Sequence, residues 1–203
     1  MKQYTITWTD GTPDWASIPA MSMDYTYKTT PEGIRGYGQV CYSSEALLVH
    51  LWAENTQMRN EEEGVLASPC NDSCLEFFFC PMEGDKRYFN IEYNMSKCKY
   101  LGMGSCIQDL VRFIPAEDEG DLFQPETNRT ENGWEIFYRI PYEFVRRFFP
   151  DFKAEPGKTI QANCYHCASL GEPPFYLSWS PIVGLPFKFH RPECFGTMTF
   201  GNH

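Results

Sequence analysis

The sequence predicts an all-β fold: an antiparallel two-sheet β-sandwich, jelly-roll or immunoglobulin-like, in one domain over residues 1–203 with one short helix. Three observations carry this. Runs of alternating apolar and polar residues recur along the whole chain, the period of a half-buried strand. Sixteen Phe, twelve Tyr and five Trp make 16% of the residues aromatic, and such side chains suit a pleated surface. Fifteen Gly and fifteen Pro cut the chain into short segments joined by turns. A length of 203 residues fits one domain with a sizeable core, and 42% hydrophobic content excludes intrinsic disorder.

In order, Tyr4 to Trp8 forms a short strand and Arg35 to Tyr42 another, ended by the turn Ser43-Ser44-Glu45. Ala46 to Glu54 alternates Leu47, Val49 and Leu51 against Leu48, His50, Trp52 and Glu54. A polar excursion follows from Asn55 to Glu63. Cys74 to Cys80 is apolar except for Glu76, as in a central strand covered on both faces. Tyr88 to Asn94 sets Phe89, Ile91 and Tyr93 against Tyr88, Asn90, Glu92 and Asn94. A second polar excursion, rich in acid at Glu117, Asp118, Glu119 and Asp121, runs from Pro115 to Asn132. Trp134, Ile136, Tyr138 and Ile140 share one strand face, which marks an inter-sheet surface. Pro141 opens a helix carrying Tyr142, Val145, Phe148 and Phe149, and Pro150 stops it. Thr159 to His166 alternates Ile160, Ala162 and Cys164 against Gln161, Asn163 and Tyr165, and Phe195 to Phe200 closes the fold.

Seventeen Lys and Arg against twenty-seven Asp and Glu give a net charge of −10. A nucleic-acid binder needs basic residues to displace counterions, so that class is excluded, and an anionic membrane surface is disfavoured for the same reason. No apolar run approaches the ~20 residues of a membrane-spanning helix. Met1 to Trp8 lacks the apolar stretch of a secretory leader, so the chain as it stands reads as cytoplasmic. Nine cysteines, an odd number, are expected as reduced, mostly buried thiols.

Four motifs in order resemble carbohydrate-binding module family 9, within the DOMON-like group of β-sandwiches. These are Asp72-Ser73-Cys74-Leu75-Glu76-Phe77-Phe78, the following strand Tyr88 to Asn94, the Trp134 strand running into Ile140-Pro141, and Phe189-His190-Arg191-Pro192-Glu193 with Phe195-Gly196. The resemblance covers roughly residues 5 to 200. It implies a curved sandwich whose concave sheet takes a sugar between aromatic rings, without catalysis, in a bacterial setting of polysaccharide or glycan breakdown. A structural calcium ion would also follow from the resemblance, at no residues that the sequence identifies.

A pyranose offers apolar C–H faces to aromatic rings and hydroxyls to planar polar groups. The polar strand faces carry His50, Trp52 and Glu54; Glu76; Asn90, Glu92 and Asn94; Arg139; and Gln161, Asn163 and Tyr165. The expected ligand contacts are Trp52, Glu76, Arg87, Asn90, Glu92, Asn163, Tyr165 and Trp179. Trp179, beside the Ser180-Pro181 turn, is expected at a sheet rim with one ring face open, and Trp52 as the second wall. The competing reading buries both indoles in the core. Arg87 has an equal alternative as a salt-bridge partner of Glu83 or Asp85. The expected ligand is a neutral mono- or oligosaccharide, since an acidic surface repels uronates.

Other classes stay open. A small glycoside hydrolase would use Glu76 and Glu92 as its carboxylate pair. A protein-interaction module would present the same concave face to a partner. Zinc would draw on Cys164, His166 and Cys167 with Cys70 and Cys74, but Cys167 points away from the face shared by Cys164 and His166. Heme would need an axial pair from His50, His190, Met82, Met95 or Met103, and no spacing selects one.

Overall fold

The structure, a computed structural model, describes residues 1–27, 30–114, 121–184 and 188–203. Its elements are β1 (Gln3–Trp8), β2 (Met21–Ser22), β3 (Tyr25–Tyr27), β4 (Arg35–Tyr42), β5 (Ala46–Glu54), β6 (Cys74–Cys80), β7 (Tyr88–Tyr93), β8 (Lys99–Gly104), β9 (Val111–Arg112), β10 (Glu126–Arg129), β11 (Gly133–Pro141), α1 (Tyr142–Arg146), β12 (Thr159–Ala168), β13 (Phe175–Ser178) and β14 (Gly196–Phe200). The eight long alternating segments of the sequence are all strands, and the expected helix is the one α-helix among the described residues, although it ends at Arg146, before Phe148 and Phe149. The second polar excursion is not wholly a loop: Glu126–Arg129 is an exposed edge strand on β11. The acidic run Glu117 to Gly120 lies outside the described residues.

One hydrogen-bonded path joins the strands in the order β10-β11-β5-β4-β1-β14-β12-β6-β7-β8-β9. It curls so that β10, β11, β5 and β4 face β14, β12, β6, β7 and β8 across one core. The hinge is β1. Its residues Gln3 to Ile6 pair with β14, and Thr7 and Trp8 move over to β4. Both β1 pairings are parallel. The sandwich is therefore mixed, and the purely antiparallel expectation is corrected at the strand that joins its two sheets.

Side chains alternate as the period requires. Leu47, Val49, Leu51, Trp134, Ile136, Tyr138 and Ile140 from one sheet meet Phe77, Phe79, Phe89, Ile91, Ile160, Ala162 and Cys164 from the other. Trp134 is wholly buried and its indole Nε1 donates to Ser73 Oγ at 2.9 Å. The helix covers the end of this core through Tyr142, Phe144 and Val145. All nine cysteines are free thiols. No described helix is long and apolar enough to cross a membrane.

A second apolar cluster lies on the outer face of the β12-β6-β7 sheet. It contains Cys74, Phe78, Cys80, Tyr88, Tyr165, Cys167, Phe189 and Phe195. This face is covered by the chain around Phe189 and by Leu110, and the candidate site lies on it.

Candidate functional site

The register of β6, β7 and β8 assembles the polar part of this face. Glu76 pairs with Glu92, and Phe78 with Asn90. On the other side Glu92 pairs with Tyr100 and Asn90 with Gly102, which in turn pairs with Arg112. Residues two apart on a strand point the same way, so Asn90 and Glu92 project together between Glu76 and Tyr100. Glycine at 102 leaves room for the neighbouring rings: a Cβ there would sit 2.8 Å from the Tyr100 ring and 3.3 Å from Leu110 Cγ.

Asn90 is 0% exposed, and among the described residues neither end of its amide makes a full-geometry hydrogen bond, although it lies close enough to Glu92 to pull on that carboxyl. Glu92 is 5% exposed, and its Oε2 likewise makes no full-geometry hydrogen bond. Burial raises the Glu92 carboxyl to about 7, against the pull of Asn90 and of the Arg112 charge. Burial also pushes Glu76 well above the carboxylate range, and Cys167 and Glu92 add to the effect. The Arg112 guanidinium lies 4.5 Å from the Tyr100 ring centre and donates to the carbonyls of Leu66, Ala67 and Lys99. It thereby fastens the chain after the first polar excursion to the rim of the face.

Asp72, the first residue of the Asp72–Phe78 motif, pins the excursion itself. Its buried carboxylate pairs with Arg59 and accepts from the backbone N–H groups of Glu61 and Glu62 and from Asn94 Nδ2. Asn94 is thus a structural clamp, and it also accepts from the Cys98 N–H at 2.8 Å.

Three of the expected contacts, Glu76, Asn90 and Glu92, share this face. Tyr165 also lies on it but only as buried support, because its hydroxyl donates to the Phe189 carbonyl and its ring stacks on Phe189 at 4.1 Å. Asn163 is spent as well: its Nδ2 donates to Ser180 O, and its Oδ1 accepts from Ser180 N–H and Cys164 N–H. Gln161 is half-buried and accepts from the Thr197 hydroxyl.

The aromatic walls are corrected. Trp179 is 3% exposed and belongs to the inter-sheet core, edge-on to Tyr4. Its N–H still bonds Cys164 O, so strand alternation runs on past β13 and sends Phe175, Leu177 and Trp179 inward together. Trp52 lies on the other sheet, on the outer face of β5, stacked on Tyr37 at 4.9 Å and on His50 at 4.8 Å. Glu54 and Arg139 belong to that sheet too. His50 is held there between Gln39 Oε1 and Glu135 Oε2. Arg87 is an ion-pair partner of Asp85 at 2.6 Å and lies over the Phe149 ring, the salt-bridge alternative of the sequence reading. Tyr100 and Arg112, which border this face, were not among the expected contacts. Gly102 and Gly104 were their only signal, since glycine inside a strand marks a close approach over it.

The metal and heme readings separate in the same way. Cys164 packs in the inner core, whereas Cys167 joins Cys74 on the outer face. His166 is buried and neutral: Nδ1–H donates to Cys74 O, Nε2 accepts from the Thr56 hydroxyl, and burial lowers it to about 4. His190 is bonded through Nδ1 to the Tyr88 hydroxyl, and Met82, Met95 and Met103 pack on the core. The one metal-capable group among the described residues is Cys74, Glu76 and Cys167. Its two thiols suit a softer ion than calcium.

The comparisons agree with this architecture. A Bacteroides uniformis ATCC 8492 protein provisionally assigned to carbohydrate binding is similar in structure, with a TM-score of 0.81 and 24% identity, covering 98% of this chain and 99% of that one. A family 9 module from Caldicellulosiruptor kristjanssonii in complex with glucose aligns with a TM-score of 0.66 and 12% identity, over 100% of this chain and 97% of that one. The same kind of module with cellotriose aligns at 0.66 and 11%, over 100% and 95%. No curated protein matches in sequence. The model of carbohydrate-binding family 9 matches residues 36–200. Modules of this family bind carbohydrate without catalysis, and the hydrolase reading of Glu76 and Glu92 is not favoured. The chain belongs to carbohydrate-binding family 9.

Proposed function

We propose that the chain binds a neutral sugar on the outer face of β6, β7 and β8, with Asn90 and Glu92 as the hydroxyl partners and Tyr100 as the adjoining ring. The observation that carries this is the buried Asn90 amide beside Glu92, whose amide ends and Oε2 make no full-geometry hydrogen bond among the described residues. A buried polar group left without such a bond costs about 1–3 kcal/mol, and Asn90 leaves both ends of its amide in that state. A sugar hydroxyl both donates and accepts, so one hydroxyl or two adjacent ones can satisfy an amide and a carboxyl side by side. Glucose and cellotriose in the similar Caldicellulosiruptor modules support a neutral glucose-type ligand. The net charge of −10 disfavours an anionic one.

Asn90 is roofed over. Leu110 lies above its neighbour Gly102, and His190 lies 5.2 Å from the ring of its other neighbour, Phe78. Ligand entry requires this cover to part, which lowers affinity by the cost of opening. The test is calorimetric titration with glucose, cellotriose, xylose and glucuronate. Binding of a neutral sugar with no response to glucuronate supports the reading. Preferential binding of glucuronate, or of no sugar at all, overturns it.

A further inference from the structure

We infer that Cys74, Cys167 and Glu76 form a site for a thiophilic divalent cation of the zinc type, with Cys70 closing the coordination shell. Cys74 and Glu76 stand two residues apart on β6 and point to the same face, and Cys167 lies directly opposite Cys74 on β12. The two sulfurs and a Glu76 oxygen all lie within 4.8 Å of one another. The Cys167 thiol donates to Glu76 Oε1 at 3.1 Å and approaches the Cys70 carbonyl at 3.6 Å.

Tetrahedral zinc takes sulfur at about 2.3 Å and carboxylate oxygen at about 2.0–2.2 Å, so neighbouring donors end up about 3.5–3.8 Å apart. The existing cluster reaches that spacing with small side-chain rotations. Cys70 is half-buried at the margin, in the 3-10 turn Pro69–Asn71 that packs beside β6 and β12. Its carbonyl already meets the Cys167 thiol, so its own thiol is the donor we assign to close the shell from the half-buried side.

A second observation points the same way. Two carboxyls and three thiols gather here, and no Lys or Arg forms an ion pair with Glu76 or Glu92 among the described residues. Glu92 Oε2, next to Glu76 in the sheet, makes no full-geometry hydrogen bond among the described residues. Buried acids are normally paired or bind a metal. A divalent ion is bound by thiolates and carboxylates, so any thiol or carboxyl protons of the ligands leave to solvent as it binds.

The test is titration of the reduced, folded protein with Co²⁺, followed by competition with Zn²⁺. One Co²⁺ per chain, with a sulfur-to-cobalt charge-transfer band that Zn²⁺ removes, is expected. The band should vanish in Cys74→Ser and in Cys167→Ser, and persist in Cys106→Ser, whose thiol lies outside the cluster. The wild-type titration needs no variant to fold. Absence of the band in the wild type overturns the inference, as does a band that survives in both cluster variants or is lost in Cys106→Ser. Sugar titration of the metal-free protein reads the proposed binding face independently, so failure of one leaves the other standing.

Discussion

Trp179 packs directly on Gly196: a Cβ at residue 196 would lie 2.5 Å from Cζ3 of the indole. The ring is a piece of the core that depends on a missing side chain in β14. Trp179→Ala should therefore cost about 3–5 kcal/mol through the cavity it leaves. Gly196→Ala should cost about 1–3 kcal/mol through overpacking. Urea unfolding measures both. A Trp179→Ala protein as stable as the parent would remove the indole from the core.

Asp72 anchors three groups of the excursion that borders the site, Arg59 and the N–H groups of Glu61 and Glu62, and ties them to Asn94. Asp72→Ala leaves Arg59 and three N–H donors without their acceptor, and should cost about 3–5 kcal/mol. Limited proteolysis should then cut between residues 59 and 68 faster than in the parent. Unchanged stability and unchanged cleavage would show that the loop holds itself in place.

Glu92 should make stability fall as pH rises. Its carboxyl titrates near the ordinary value of 4.5 when unfolded and about 7 when folded. The folded chain thus binds the proton more tightly, and its advantage is lost from about pH 4.5 upward until it is exhausted above about pH 7. Glu92→Gln lacks this loss. The melting temperature of the variant relative to the parent should rise between pH 5 and pH 8. A constant difference over that range would mean that Glu92 titrates normally.

Strand alternation made most of the fold legible. Ala46–Glu54 and Cys74–Cys80 are strands over the residues that the pattern marked. β8 was hidden because Gly102 and Gly104 replace side chains on one of its faces. The exchange of β1 between sheets was not legible either, since register between distant segments leaves no local period. For the site, alternation correctly grouped Asn90 with Glu92. It tells which residues of a strand share a face, but not which sheet or which side of the sandwich that face belongs to. Hence Trp52 lies on a different sheet from Glu76, Asn90 and Glu92, and Trp179, expected at an open rim, is buried in the core. Pro181 does end the pairing, but only after Trp179 has turned inward.

Trp134 was legible, and its role is now sharper. Trp134→Ala should cost about 3–5 kcal/mol. Trp134→Phe keeps most of the packing but removes the bond to Ser73, and should cost about 1–3 kcal/mol. Thermal unfolding of the two variants separates packing from the hydrogen bond. Equal losses would assign the whole effect to the indole N–H.

The most direct measurement is glucose and cellotriose titration of Asn90→Ala beside Trp52→Ala. The parent should bind with a dissociation constant of about 10 μM to 1 mM, as expected of a small polar ligand with few contacts. Asn90 makes no full-geometry hydrogen bond among the described residues, and its one pull is on the neighbouring Glu92, so Asn90→Ala should still fold, and it should lose about tenfold or more in affinity. Trp52→Ala, on the opposite sheet, should bind as the parent does. Parental affinity in Asn90→Ala with binding abolished in Trp52→Ala would place the sugar on the other sheet and contradict the assignment.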